Sequence, residues 1–144
     1  MSFDWNLAGD HLIHLLVAYL LALPAAWDRE KQSRSAGLRT YPLVSVGACA
    51  FLLIGESFLD EQIANARLMQ GLIGGLGFLG GGAILKDRDH VIGMATAASI
   101  WNTGALGMAV AYQRYEIAVV LAVLNFITLR MGLSVKKVIA EDEG

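Results

Sequence analysis

Charged residues divide this 144-residue chain into five apolar runs, and that division constrains the fold more than any single motif. Charge-poor stretches occupy residues 7–27, 42–59, 68–85, 91–112 and 115–133. Crossing a hydrocarbon layer takes roughly 17–25 residues of helix. An unpaired backbone group in lipid costs several kcal/mol, so helices are the form such runs must take. The alternating polarity of a membrane β-barrel is missing from these runs. Composition agrees: 56% of residues are apolar and 17% charged, against about 45–50% and about 25% in soluble domains. The expected fold is therefore all-α, an integral membrane bundle of five transmembrane helices over residues 1–135 with a short cytoplasmic tail at 136–144. Run two is the weakest: Pro42 opens it, Glu56 stands near its far end, and its strongly apolar part is only 43–54.

The connections carry the orientation. Residues 28–40 read as a charged loop, 56–66 as an acidic and polar linker, and 86–90 and 113–116 as tight polar turns. Cytoplasmic loops are enriched in Lys and Arg. Arg29, Lys31, Arg34, Arg39, Lys86, Arg88, Arg130, Lys136 and Lys137 fall on one side, and only Arg67 and Arg114 on the other. The basic side is expected in the cytoplasm, with the N-terminus outside. Pro24-Ala25-Ala26 resembles a signal-peptide cleavage site, but Asp4 and Asp10 stand where a signal is basic, so a retained helix is expected.

The third run holds seven glycines in twelve residues: Gly71, Gly74, Gly75, Gly77, Gly80, Gly81 and Gly82. Gly75 to Gly80 matches G-x-G-x-x-G, yet the preceding segment is helical and Ser99-Ile100-Trp101 stands where the ribose-binding carboxylate belongs. Nucleotide binding is set aside. Gly71/Gly75, Gly77/Gly81, Gly93/Ala97 and Gly107/Ala111 are instead small-xxx-small pairs, which let helices approach closely in lipid. An alternative expectation is a helix break at 80–82, with freed carbonyls lining a polar path.

Polarity at depth is modest. Thr96, Ser99 and Thr103 step by three and four and form one stripe, with Asn102 beside it and Asn125 and Thr128 in run five. The bland reading is interhelical hydrogen bonding. Runs three and four hold no acid or base between Gln70 and Lys86 or between Gly93 and Gln113, which argues against a midplane carboxylate site. Magnesium normally meets one or two carboxylates while keeping several waters. Charges gather instead at one edge: Asp28, Arg29 and Glu30, then Arg39, with Lys86, Asp87, Arg88 and Asp89 completing a rim for a partner or a divalent cation. His11 and His14 lie one turn apart without a third ligand, and Cys49 is the lone cysteine. No nucleophile–base pair appears, and nothing is basic enough for nucleic acid.

Ala36-Gly37-Leu38-Arg39-Thr40, Gly75-Leu76-Gly77-Phe78-Leu79-Gly80-Gly81-Gly82 and Gly93-Met94-Ala95-Thr96-Ala97-Ala98 followed by Trp101 resemble, in order and spacing, the MgtC/SapB family. The likeness runs from about residue 10 to 133. It implies a multi-pass protein of the bacterial inner membrane, linked to growth under low magnesium and, in pathogens, to survival inside host cells. It further implies a non-enzymatic regulator acting on other membrane proteins, the ATP synthase or a magnesium-transporting ATPase among them, with no cofactor. Departures exist: Asp28-Arg29 stands for the family's Glu-Arg, Gly80-Gly81-Gly82 for Gly-Ala-Gly, and Met94-Ala95-Thr96 for Leu-Thr-Thr. Many members carry a C-terminal soluble domain, whereas this sequence stops at Gly144.

The expected functional residues are Asp28, Arg29, Arg39, Thr40, Gly77, Phe78, Gly80, Gly82, Thr96 and Trp101. Expected partners are the lipid bilayer, another membrane protein and, from the glycine faces, a second copy of the chain. A small channel or transporter for magnesium or another ion is the alternative function.

Overall fold

The computed structural model describes residues 4–32, 36–58, 62–87 and 90–142, with side chains for all of these except 57, 58, 62, 87, 90 and 132–142. Five helices carry almost all of it: α1 (Trp5–Gln32), α2 (Thr40–Phe58), α3 (Gln62–Gly82), α4 (Met94–Ala111) and α5 (Tyr115–Asp142). A short antiparallel hairpin, β1 (Leu85–Asp87) and β2 (His90–Ile92), pairs Leu85 with Ile92 between α3 and α4.

Several boundaries differ from the sequence expectation. The loop expected from residue 28 is helical through Gln32, where Arg29, Glu30 and Gln32 each find a hydrogen-bond partner within the fold. α3 starts at Gln62, six residues before the apolar run. The expected turn at 86–90 is flanked by paired strands; Arg88 and Asp89 lie outside the described residues. The α5 backbone stays helical to Asp142, into the expected tail. Pro24 sits inside continuous helix, with Ala25 and Ala26 buried beside it.

The expected break at 80–82 does not occur. α3 is helical to Gly82, and among the described glycines only Gly93 has a positive φ, +91°. A Cβ on Gly93 would collide with the carbonyl oxygen of Ala83, so both backbone angle and space demand glycine where the hairpin enters α4. The other end of α4 closes differently. Gln113 takes the left-handed conformation at φ 57°, its N–H donates to Val110 O at 2.9 Å, and Arg114 N–H donates to Ala109 O at 2.8 Å. This double closure satisfies the last carbonyls of the helix and turns the chain into α5.

α4 is the central helix, packed against α1, α2, α3 and α5. Its interior is built from small residues. Ala18, Ala22, Ala25 and Ala26 of α1, Ser45, Ala48 and Cys49 of α2, Ala97, Ala109 and Ala111 of α4, and Ala118 and Ala122 of α5 are all buried. Gly107 lies against Ser45 so closely that a Cβ would strike the Ser45 carbonyl oxygen. Larger residues join the small ones inside, Tyr41, Leu52, Leu106 and Val110 among them, but many other large apolar residues point outward. Leu12, Ile13, Leu16 and Leu20 on α1 and Val119, Val120, Val123, Leu124 and Ile127 on α5 are exposed. So many exposed large apolar residues on α1 and α5 depart from the surface of a water-soluble domain. α1 is long and apolar enough to cross a membrane by length and composition.

Candidate functional site

The turn from α1 into α2 positions the charged edge. Glu30 Oε2 accepts a hydrogen bond from the Leu38 backbone N–H at 2.9 Å, and Gly37 lies against Glu30 with no room for a side chain. The Gly37 carbonyl accepts from Thr40 N–H at 3.0 Å and from Tyr41 N–H at 3.1 Å, starting α2. Ala36 to Thr40 therefore folds around Glu30, a residue outside the expected functional set. Arg39 ends up exposed on the helix start.

Asp28 and Arg29 point to different surroundings, as neighbours 100° apart on a helix must. Asp28 is buried, and its Oδ2 accepts from Gln32 Nε2 at 2.6 Å. Arg29 reaches across to α4, where its Nη2 donates to Thr96 Oγ1 at 2.7 Å. Arg29 makes no ion pair with any described carboxylate; the ion pair among the described residues joins Arg114 and Glu116, 3.9 Å apart and exposed.

Behind Thr96 the rest of the stripe is satisfied by α5. Ser99 Oγ donates to Asn125 Oδ1 at 2.7 Å, Asn125 Nδ2 donates to Thr103 Oγ1 at 3.3 Å, and Thr103 Oγ1 donates to Ser99 O at 2.8 Å. Asn102 Nδ2 reaches the Leu121 carbonyl at 3.2 Å. Thr96, Ser99, Thr103 and Asn125 are all buried. Interhelical hydrogen bonds in lipid average roughly 0.6 kcal/mol, so the two side-chain bonds between Asn125 and α4 contribute about 1 kcal/mol. Their larger effect is to fix the register of α5 on α4. A cleft of about 380 Å³ runs along this seam, between α1, α4 and α5.

The glycine-rich helix is a second, separate feature. Among its glycines only Gly80 is packed, 3.2 Å from the Ala97 carbonyl oxygen by the position a Cβ would take. Gly71, Gly74, Gly75, Gly77, Gly81 and Gly82 have open space where a Cβ would stand. Phe78 is 83% exposed. A groove of about 860 Å³ separates α2 from α3, floored by Gly47, Gly71 and Gly75, with Arg39 and Thr40 near one end and Arg67 toward the other.

The structure thus brings Asp28, Arg29 and Thr96 together, and places Arg39 and Thr40 on the groove. Gly77, Phe78 and Gly82 are exposed on α3, and Trp101 is exposed on α4. Gln32 and Asn125 join the polar seam without belonging to the expected set. Asn125 announces itself as a lone amide inside an apolar run, whereas nothing local marks Gln32. His14 is committed to the Asp10 carbonyl at 2.7 Å, and no group of three metal-ligating side chains occurs among the described residues.

Comparison with known proteins places this arrangement. Putative magnesium transporter YhiD of Escherichia coli K12 is 27% identical over 132 residues, covering 87% of this chain and 61% of that protein. Protein SrpB of Synechococcus elongatus is 33% identical over 137 residues, covering 84% of this chain and 75% of SrpB. Protein MgtC of Salmonella typhimurium is 35% identical over 98 residues, covering 68% of this chain and 42% of MgtC. The chain spans about three fifths of the length of YhiD and about two fifths of MgtC. No solved structure matches it. The MgtC family profile aligns with residues 15–138, nearly the whole five-helix bundle, and the chain is a member of the MgtC family.

Proposed function

We propose that this chain is a multi-pass protein of the bacterial inner membrane that regulates another membrane protein under magnesium limitation, without enzymatic activity. The observation that carries the reading is the unfilled glycine face of α3. Lipid supplies no hydrophobic drive between helices, so close backbone approach across small residues is the means of association. The α2–α3 groove has such a floor and an arginine toward either end. It suits a transmembrane helix of a partner, of the class the family resemblance implies: the ATP synthase or a magnesium-transporting ATPase. In this reading all five helices cross, and the edge holding Asp28, Arg29 and Arg39 faces the cytoplasm.

Gly75→Leu tests the reading cleanly, because among the described residues, apart from its chain neighbours and its own helix backbone, nothing stands within 4 Å of the added Cβ. Cross-linking in native membranes, followed by identification of the captured proteins, should lose the partner in Gly75→Leu while the variant remains folded. Unchanged capture of every partner would remove the groove as the docking surface.

A second reading, a small magnesium carrier, is favoured by the name of the E. coli relative and by the buried polar seam. The guanidinium of Arg29 at the head of that seam opposes a divalent cation. Purified protein in liposomes decides it: magnesium flux above that of empty vesicles would establish transport.

A further inference from the structure

The α2–α3 groove has a charge as well as a shape. Arg39 stands exposed near one end of it, beside Thr40. The two acidic residues nearest to Arg39 in sequence are already committed. Glu30 Oε2 accepts from the Leu38 backbone N–H, and buried Asp28 accepts from Gln32. Among the described residues no carboxylate pairs with Arg39. The other end differs in kind. Arg67 shares its stretch of sequence with Glu56, Asp60 and Glu61, so both signs occur there and neither is selected. The groove is therefore apolar along its floor and cationic at the Arg39 end.

We infer that the transmembrane helix this groove accepts carries a carboxylate at its cytoplasmic end, where it pairs with Arg39. The inference rests on the groove being the docking surface proposed above. A glycine floor selects by shape alone, and small-xxx-small faces recur among membrane helices. Charge supplies the finer selection. Cytoplasmic ends of membrane segments are enriched in Lys and Arg, so Arg39 repels the ordinary occupant and accepts the acidic minority. Like charges brought together in an interface discriminate strongly against the wrong partner. A guanidinium also meets a carboxylate through two parallel hydrogen bonds, a geometry an ammonium lacks. A second copy of this chain is a poor occupant. Copies in one bilayer share an orientation, and a symmetric pair uses the same patch on both partners. Their Arg39 side chains would then face each other at one level of the membrane.

The test places the full chain in phosphatidylcholine vesicles with defined peptides and reads energy transfer between them. The chain carries its donor dye through Met131→Cys, an exposed position on α5 away from the groove, while the native Cys49 is buried. Three synthetic transmembrane peptides share one apolar helix with a Gly-xxx-Gly pair and differ only in the residue at one end: Glu, Gln or Lys. The Glu peptide should bind about fivefold more tightly than the Gln peptide, and the Lys peptide most weakly. In Arg39→Gln that preference should vanish, and in Arg39→Glu the order should reverse in favour of Lys. Gly75→Leu should abolish binding of all three. Equal affinity for Glu and Gln, or a Glu preference that survives Arg39→Gln, overturns the inference. The groove itself then stands if Gly75→Leu still abolishes binding. Binding of no peptide, or binding that Gly75→Leu leaves intact, removes the groove and the inference together. Should a variant of Arg39 fail to fold, the three peptides on the unaltered chain decide.

Discussion

The glycines of α4 and, Gly80 apart, those of α3 look alike in sequence and do opposite things. Gly107 is pressed onto the Ser45 backbone, and Gly104 lies under Leu76. Gly71, Gly74, Gly75 and Gly77 face open space. A small residue thus has two uses: to let this chain's own helices meet, or to leave a surface that something else can meet. The first is a matter of stability, and the second of interaction.

Substitutions separate the two. Gly107→Leu should have the largest effect. It forces apart α2 and α4 at a backbone contact that no rotamer change can relieve, and about 3 kcal/mol or complete loss of the fold is expected. Thermal unfolding in detergent would show it, and a folded variant of near-normal midpoint would contradict the closeness of the two helices. Gly93→Ala comes next, with about 2 kcal/mol expected from a left-handed backbone and a clash with Ala83 O; the same melt measures it. Asn125→Leu removes the amide that holds Ser99 and Thr103, and should cost about 1–2 kcal/mol. Cysteines introduced on α4 and α5 should then cross-link over a broadened set of pairs as register loosens. Gly75→Leu should be smallest, within about 0.5 kcal/mol in the isolated chain, since the added Cβ enters the open α2–α3 groove. A large loss there would break the distinction between packed and open glycines.

Much of the helical order was legible because charge punctuates the apolar runs at each connection. Asp28 to Gln32 misled, since Arg29 and Glu30 resemble loop residues until their partners appear. Thr96 lies 67 residues from Arg29, and Leu38 folds back on Glu30; neither pairing leaves a local trace. The hairpin is too brief, three residues a strand, to show a period. The stripe of Thr96, Ser99 and Thr103 could be read from spacing alone, but the amide that completes it comes from another helix. Glycine spacing announced close approach without saying to what. A break at Gly80 to Gly82 was reasonable from propensity, yet packing of Gly80 on Ala97 and unbroken backbone hydrogen bonding hold the helix together.

The central place of α4 has a consequence for biosynthesis. The helix that touches all the others is the fourth of five to be made. At about 5–20 residues per second, α3 precedes a complete α4 by roughly one to several seconds. Throughout that interval a helix rich in glycine, the residue least suited to helical order, lacks the neighbour on which it chiefly packs. α1 and α2 can already pair, through Ser45 Oγ to the Ala18 carbonyl at 2.9 Å. The nascent bundle is therefore a helix pair with a loosely attached third member, a natural moment for chaperones or proteases to act on the half-made chain.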